Sequence, residues 1–571
     1  MNLRFIIQFF FNHLSFRDWF KIIFNYFLIF LNLILEVLFI TLVFLILNQK
    51  QQTLSNTILE QFLVRFKLLF IIDNIIELYI LLLIVTLVLK NLIYIFQNYF
   101  FFSVIYNLVG KKAVDLFNFQ LRSDYEFFIK NNTSTYIKYI LRDNENIFNG
   151  ILGSLLSAVG EFIYIFFVII FSLSLISLVI TYEEILLIIF ILLTILLLLK
   201  LSSKYGKIRS DNEKFSFKLL NESFSIFKEI KLKDKSKDFA KKFSEYINKY
   251  YKSKAISGVI NISPKILFEF GLLLFFYFNF VNSNLNINDY ISKFSILALM
   301  ALRILPSFSR LSSNLSGIFY NLESFRLIYK DLNRAITQPQ SISNNRFNII
   351  LKRIKLKNIS HKFINDDKVI NVLKNFSYEF KIGNIYAIYG RSGLGKTTLL
   401  NIISGLVLPH KGVLYFNKSN YKSKEIYKIF KLSYLSQNPQ IMDDNLISNL
   451  TLNLNFNNNQ EDISRISLFL KKFKLNKFIN SSFLKNESIL SIKKLSGGEI
   501  QRISFIRAIF NNPDIILLDE PTAALDQTNE RKLFSYLQSI KKNKIIIVTS
   551  HKNQLIKYFD KVINLEKVNA K

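Results

Sequence analysis

The 571-residue chain contains no cysteine. Disulfides, thiolate metal sites and cysteine nucleophiles are therefore excluded. Histidine is scarce: His13, His361, His410 and His551 lie far apart in sequence, which argues against a zinc site. Acidic residues are in deficit, 41 Asp and Glu against 73 Lys and Arg, for a net charge of +32. Hydrophobic residues make up 51% and Phe alone occurs 59 times, which excludes a disordered chain. The charge raises the question of nucleic-acid binding. Lys outnumbers Arg by 56 to 17, however, whereas base-reading proteins lean on Arg.

The charge divides unevenly. Residues 1–340 carry 36 basic and 24 acidic residues, and residues 341–571 carry 37 and 17. The first part also holds the long apolar runs. A membrane span needs about 20 mostly apolar residues. Six stretches qualify: Ile22–Asn48, Leu68–Phe102, Ile151–Ile180, Ile185–Leu201, Ile256–Val281 and Tyr290–Leu311. Residues 1–340 are thus expected to form an all-α transmembrane domain, and residues 341–571 a soluble α/β domain. The segment 201–254 carries 15 basic residues and the tip 181–184 none, which places both termini in the cytoplasm. The Lys50, Arg65 and Lys67 side chains of the 48–67 loop run mildly against this. Residues 103–150 and 202–255 have few Gly or Pro and apolar residues at three-to-four spacing, so they are expected to extend the spans as helices. Met1–Phe20 lacks a small-residue cleavage site and reads as an amphipathic helix on the membrane.

In the second part, the apolar run Ile385–Tyr389 leads into Gly390, Arg391, Ser392, Gly393, Leu394, Gly395, Lys396, Thr397 and Thr398, then into an apolar helix start. This is G-x-x-x-x-G-K-T between strand and helix, the context that a phosphate loop requires. Its backbone N–H groups would cradle phosphates, Lys396 would reach the β and γ phosphates, and the Thr397 hydroxyl would bind Mg²⁺. Ile515–Leu518 is a second buried strand, ending in Asp519 and Glu520. Asp519 suits the Mg²⁺-supporting acid and Glu520 the base that polarises water for in-line phosphoryl transfer. Between the two lies Leu495, Ser496, Gly497, Gly498, Glu499, Ile500, Gln501, Arg502. Ser and two Gly opening a helix suit either an anion-binding N-terminus or an ordinary Ser cap.

The order phosphate loop, L-S-G-G-E-x-Q-R, apolar strand ending Asp-Glu resembles the ATP-binding-cassette family. The resemblance implies ATP and Mg²⁺ as ligands, with Gln437 as a glutamine that contacts Mg²⁺ and senses the membrane domain. His551 would orient the γ phosphate, Phe363 would stack on adenine, and Ala523–Asp526 would form the loop after the catalytic acid. It implies a half-transporter that pairs with a second copy of itself, Ser496–Glu499 of one copy completing the ATP site of the other. One departure is the apolar, Gly-free stretch Glu487–Lys494, where exporters often carry an acidic segment containing Gly.

Arg303 and Arg310 lie two turns apart on one helix face with Pro306 between them. Intramembrane arginines are costly, and two guanidinium groups on one face suit a phosphate. Equally, they suit the membrane edge, or pairing with Glu161 or Glu269. The stretches Leu299–Leu332 and Asn221–Leu274 resemble the exporter branch that flips lipid-linked oligosaccharides. That resemblance implies substrate contacts at Arg303 and Arg310, and at Lys90 and Lys265 where Arg is the family's usual residue. It also makes Leu54–Arg65 the candidate for a short external helix. The expectation is an ATP-driven exporter or flippase in the cytoplasmic membrane, moving an amphipathic, phosphate-bearing lipid. The alternative is an exporter of drugs, other lipids or peptides. No nucleic-acid partner is expected.

Overall fold

The computed structural model describes residues 3–48, 75–129, 132–175, 182–282, 287–337, 350–365, 368–391, 393–417, 419–420, 430–454, 460–479 and 495–566. The chain divides into two compact units, one of Met1–Ser123 and Lys130–Pro339, the other of Asp124–Ile129 and Gln340–Lys571. The second unit thus takes in a six-residue piece from within the helical half of the sequence.

The first unit is helical. Its long elements are Phe16–Asn48, Ile75–Arg122, Ser154–Leu175, Tyr182–Ser225, Ser236–Asn282 and Ile287–Thr337. Among the described residues, five stretches are long and apolar enough to cross a membrane: Phe16–Val43, Glu77–Arg122, Thr133–Ile170, Ile189–Ser225 and Ser236–Phe275. Each overlaps one of the first five expected spans, and the last four run well beyond it at one end, because the polar extensions are helical too. The sixth expected span falls in the helix Ile287–Thr337, where the side chains of 287–303 lie outside the described residues. Leu54–Arg65 and Glu487–Lys494 are also outside them. Leu192, Leu196 and Leu197 are among the large apolar side chains left exposed on the helices, the surface that a bilayer covers.

The N-terminal helix Leu3–His13 is amphipathic as expected, but protein covers its apolar face. Ile6, Phe9 and Phe10 are buried with Ile105, Phe148 and Phe325. This unit also holds a buried polar cluster. Lys138 sits 3.3 Å from Asp143 and 3.8 Å from Glu213, and donates to the Ser210 carbonyl and hydroxyl at 3.3 and 3.1 Å. Arg209 donates to Asn321 at 3.0 Å and Ser324 at 3.3 Å. Two wide π-helical turns, Tyr139–Asp143 and Phe148–Gly153, interrupt the α-helix here.

The second unit holds two sheets. Strands β1 (Arg353–Asn365), β2 (Lys368–Lys381), β4 (Lys411–Phe416) and β5 (Ser419–Asn420) pair antiparallel in the order β2-β1-β4-β5. Strands β3 (Ile385–Tyr389), β6 (Leu432–Leu435), β7 (Ile515–Asp519), β8 (Ile545–Ser550) and β9 (Lys561–Asn564) form a parallel sheet in the order β6-β7-β8-β3-β9. Its central strands are continuous apolar runs, as a sheet buried on both faces requires. Ile516, Leu518, Ile546 and Val548 point into one core with the helices Gly497–Phe510 and Gln527–Ile540. Ile515, Leu517, Ile545 and Ile547 point into the other with the helix Lys396–Ser404. Parallel pairing brings the C-terminal ends of β3, β7 and β8 side by side, which is where such sheets bind ligands.

Candidate nucleotide site and membrane cavity

Each of those three strand ends delivers a polar group. After β3, the chain turns at Gly390–Gly395 into the helix Lys396–Ser404. Gly395 has φ +88°, and a Cβ there would lie 2.5 Å from Val372 Cγ1, so no side chain fits. At Gly393, with φ +86°, a Cβ would meet nothing within 4 Å. The loop is thus tight beneath and open at its crest. Lys396 Nζ donates to the Gly390 carbonyl at 2.7 Å and lies 3.7 Å from Glu520. The Thr397 hydroxyl donates to Asp519 at 2.7 Å.

Asp519 ends β7, and its second oxygen accepts from the Thr549 hydroxyl of β8 at 2.6 Å. Glu520, one residue on, has φ +48°, a left-handed backbone rare for a non-glycine. Its N–H donates to the Thr549 hydroxyl at 3.0 Å. Its carboxylate accepts from Gln437 Nε2 at 3.1 Å and lies 3.4 Å from His551 Nδ1. Lys396, Thr397, Gln437, Asp519, Glu520 and His551 therefore form one connected group. One hydroxyl, one carboxylate and one amide oxygen are hard donors of the kind Mg²⁺ takes. Open backbone N–H groups and an ammonium suit a polyphosphate. Arg391 is exposed and 3.5 Å from Glu566, and Thr398 is buried. The side chains of Ser392 and Phe363 lie outside the described residues.

Ser496 caps the helix Gly497–Phe510 through a full capping box. The Glu499 N–H donates to Ser496 Oγ at 3.3 Å, and the Ser496 N–H to Glu499 Oε2 at 2.9 Å. Lys477, 2.6 Å away, and these donors hold the Glu499 carboxyl below its usual range, although burial opposes them. The ordinary-cap reading of this motif is satisfied, and the exposed Gly497 leaves the helix N-terminus open as well. Gln501 joins it to the acid strand, donating to the Glu520 carbonyl at 3.2 Å and accepting from the Ala524 N–H at 2.8 Å.

Two residues of this group, Thr549 and Tyr434, escape sequence reasoning, and Gln501 is visible there only as a letter of the L-S-G-G-E-x-Q-R stretch, with no role attached. Thr549 is unremarkable in a β-branched strand. Tyr434 places its hydroxyl 3.5 Å from Asp519, and burial pushes its ionisation far up, so it stays a neutral phenol. A polar residue two positions before His551, at the end of an otherwise apolar strand, is the one available signal for Thr549.

His361 and His410 face each other within the same unit, their Nδ1 atoms 3.1 Å apart. Burial, and then His410, lower the His361 pKa from its ordinary 6.5, while Glu126 and the Leu408 backbone oppose this. A histidine whose folded pKa is depressed favours folding above the unfolded value and loses that contribution as pH falls. The melting temperature of this unit is expected to drop as pH is lowered from about 7 to about 5, and less steeply in His361→Gln. Calorimetry of the full chain checks this; parallel profiles for both proteins would refute it.

In the helical unit, a cavity of ≈ 750 Å³ is lined by residues from five of the long helices, among them Lys90, Lys265 and Arg310. Lys90 pairs with Glu36, whose side chain is wholly buried. Arg310 pairs with Glu161 through both guanidinium edges, Nη2 to Oε2 at 3.1 Å, and donates to Ser307 at 2.9 Å. Lys265 lies 3.7 Å from Glu269. Of the four expected substrate residues, three are thus gathered on one cavity. Arg303 is in the helix Ile287–Thr337, with its side chain outside the described residues.

Residues 373–523 match the ABC transporter family. The chain is 33% identical over 229 residues to the lipoprotein-releasing system ATP-binding protein LolD of Buchnera aphidicola, covering 38% of this chain and 95% of that protein. It is 32% identical over 200 residues to the ATP-dependent lipid A-core flippase of Francisella tularensis, covering 34% of this chain and 32% of that one. A bacterial Atm1-family ABC exporter solved with ATP bound superposes with a TM-score of 0.76 at 16% identity, covering 95% of this chain and 93% of that chain. A phosphate loop joined by hydrogen bonds to an Asp-Glu strand end, carried on one chain with a membrane domain of exporter fold, meets the same description. The chain belongs to the ATP-binding-cassette transporter family, with a multi-pass helical domain of exporter fold fused to a cassette that hydrolyses ATP to drive transport.

Proposed function

We propose that the protein is an exporter or flippase of the cytoplasmic membrane that moves an amphipathic, phosphate-bearing lipid, such as a lipid-linked oligosaccharide, from the inner leaflet. The observation that carries this is the cavity, which gathers Lys90, Lys265 and Arg310 among polar side chains on the long apolar helices, where charge is costly if the helices span a membrane. Residues 1–340 serve as the membrane domain and 341–571 as the cassette. Two copies pair head to tail, and Ser496, Gly497, Gly498 and Glu499 of each complete the nucleotide site of the other.

Within that site, Gly390–Thr398 and Lys396 hold the phosphates, and Phe363 stacks on the base. Thr397, Asp519 and Gln437 would hold Mg²⁺, which would neutralise phosphate charge. Glu520 takes the proton of the attacking water. His551, beside it, orients the γ phosphate. An exporter of drugs, other lipids or peptides uses the same cassette chemistry and differs at the cavity.

Proteoliposomes containing the full chain and a fluorescent lipid-linked oligosaccharide test the reading. ATP-dependent translocation is expected, and its reduction in Arg310→Ala. Translocation without ATP would refute it, as would undiminished translocation in that variant.

A further inference from the structure

The cavity is less cationic than its three basic residues suggest. Lys90 and Arg310 are each already paired with a carboxylate on another helix, and Lys265 with Glu269 on its own. Arg310 engages Glu161 through two edges, the same geometry a phosphate would use. An arriving anion must therefore displace a carboxylate that is already in place, so charge alone attracts it weakly.

The rest of the wall is rich in uncharged hydrogen-bonding groups: seven Asn, Gln97, five Ser and two Tyr. Two of these are unsatisfied among the described residues. The Oδ1 atoms of Asn32 and Asn261 are closed to solvent and have no hydrogen-bond partner there. Both residues line the cavity, and rotation of the terminal amide about its soft χ2 torsion turns the oxygen towards it. An unmet buried acceptor is costly. It needs an O–H or N–H donor. A fully ionised phosphate has none, and an acyl chain has none. Saccharide hydroxyls supply donors and acceptors together, matching a wall of amides and hydroxyls.

Resting on the reading that this cavity is the transport site, we propose that it recognises its cargo chiefly by the hydroxyl groups of a saccharide headgroup. Asn32 and Asn261 accept from those hydroxyls, and the anionic linkage is a secondary contact that competes with Glu161 for Arg310.

The test uses the full-length protein in proteoliposomes and follows stimulation of ATP hydrolysis by two lipids. One is a polyprenyl diphosphate bearing a short oligosaccharide; the other is the same polyprenyl diphosphate without sugar. Two extra hydrogen bonds predict half-maximal stimulation at about ten-fold lower concentration for the glycosylated lipid. In Asn32→Leu/Asn261→Leu the two concentrations should converge. Equal responses of the wild type to both lipids would overturn the inference and leave the transport reading standing. So would discrimination that persists in the double variant. A response to neither lipid would overturn the transport reading, and this inference with it. The wild-type comparison decides even if the double variant does not fold.

Discussion

Replacing Glu520 by Gln is expected to lower ATP turnover by about 10²–10⁴-fold, the usual contribution of a positioned general base. Nucleotide binding should persist, because the phosphate loop and Asp519 are untouched. Glu520 does not pack as a strand residue. It follows β7 with φ +48°, pinned by its N–H to Thr549 and its carbonyl to Gln501. That pinning aims its carboxylate at Lys396, Gln437 and His551. Gln keeps the shape and loses the site that takes a proton. Phosphate release from the full-length protein, with equilibrium nucleotide binding measured alongside, checks both halves. Turnover reduced by less than about ten-fold would assign the base elsewhere.

Lys138→Met should cost about 3–5 kcal/mol of stability in the helical unit, as removal of one partner from a buried ionic cluster does. The Lys138 side chain is 1% exposed, and Asp143 and Glu213 beside it are 0% and 8% exposed. With the ammonium gone, two carboxylates remain facing each other out of water. Adding Glu213→Gln should recover part of the loss, since one of those charges is then removed. Thermal unfolding of the detergent-solubilised chain reads both effects. A loss under about 1 kcal/mol would place the cluster in the range of solvated surface pairs instead.

These two sites differ in how far the sequence alone discloses them. The phosphate loop, the Asp519–Glu520 strand end and the cap at Ser496 are contiguous motifs, and contiguous motifs survive without knowledge of packing. Thr549 is invisible on those terms, because its contact with Asp519 depends on the parallel register that sets Asp519 against Thr549. The spans were legible as apolar runs. Their helical extensions were legible as well, from the apolar residues at three-to-four spacing in 103–150 and 202–255, and Tyr182–Ser225 runs through the start of the second of these. The cavity was legible only in part. Lys90, Lys265 and Arg310 could be named, and Glu161 could be named as one carboxylate open to Arg303 and Arg310. That Arg310 meets Glu161 from 149 residues away, and Lys90 meets Glu36, depends on which helices pack together. Asn32 and Asn261 carried no signal in a chain so rich in Asn.

The wide turns at Tyr139–Asp143 and Phe148–Gly153 each hold one residue to spare. A π turn accommodates one residue more than the α-helix it interrupts. Deleting one residue within Tyr139–Asp143 would let the chain close as plain α-helix, with the helix on either side close to its present phase. Lys138 would still face Ser210 and Glu213. Leu141 is 62% exposed, so Leu141→Ala should be almost silent. Deletion of Leu141 should cost far less than loss of Lys138 itself, whereas the same deletion from the uninterrupted helix at Leu108 would turn one half against the other by about 100°.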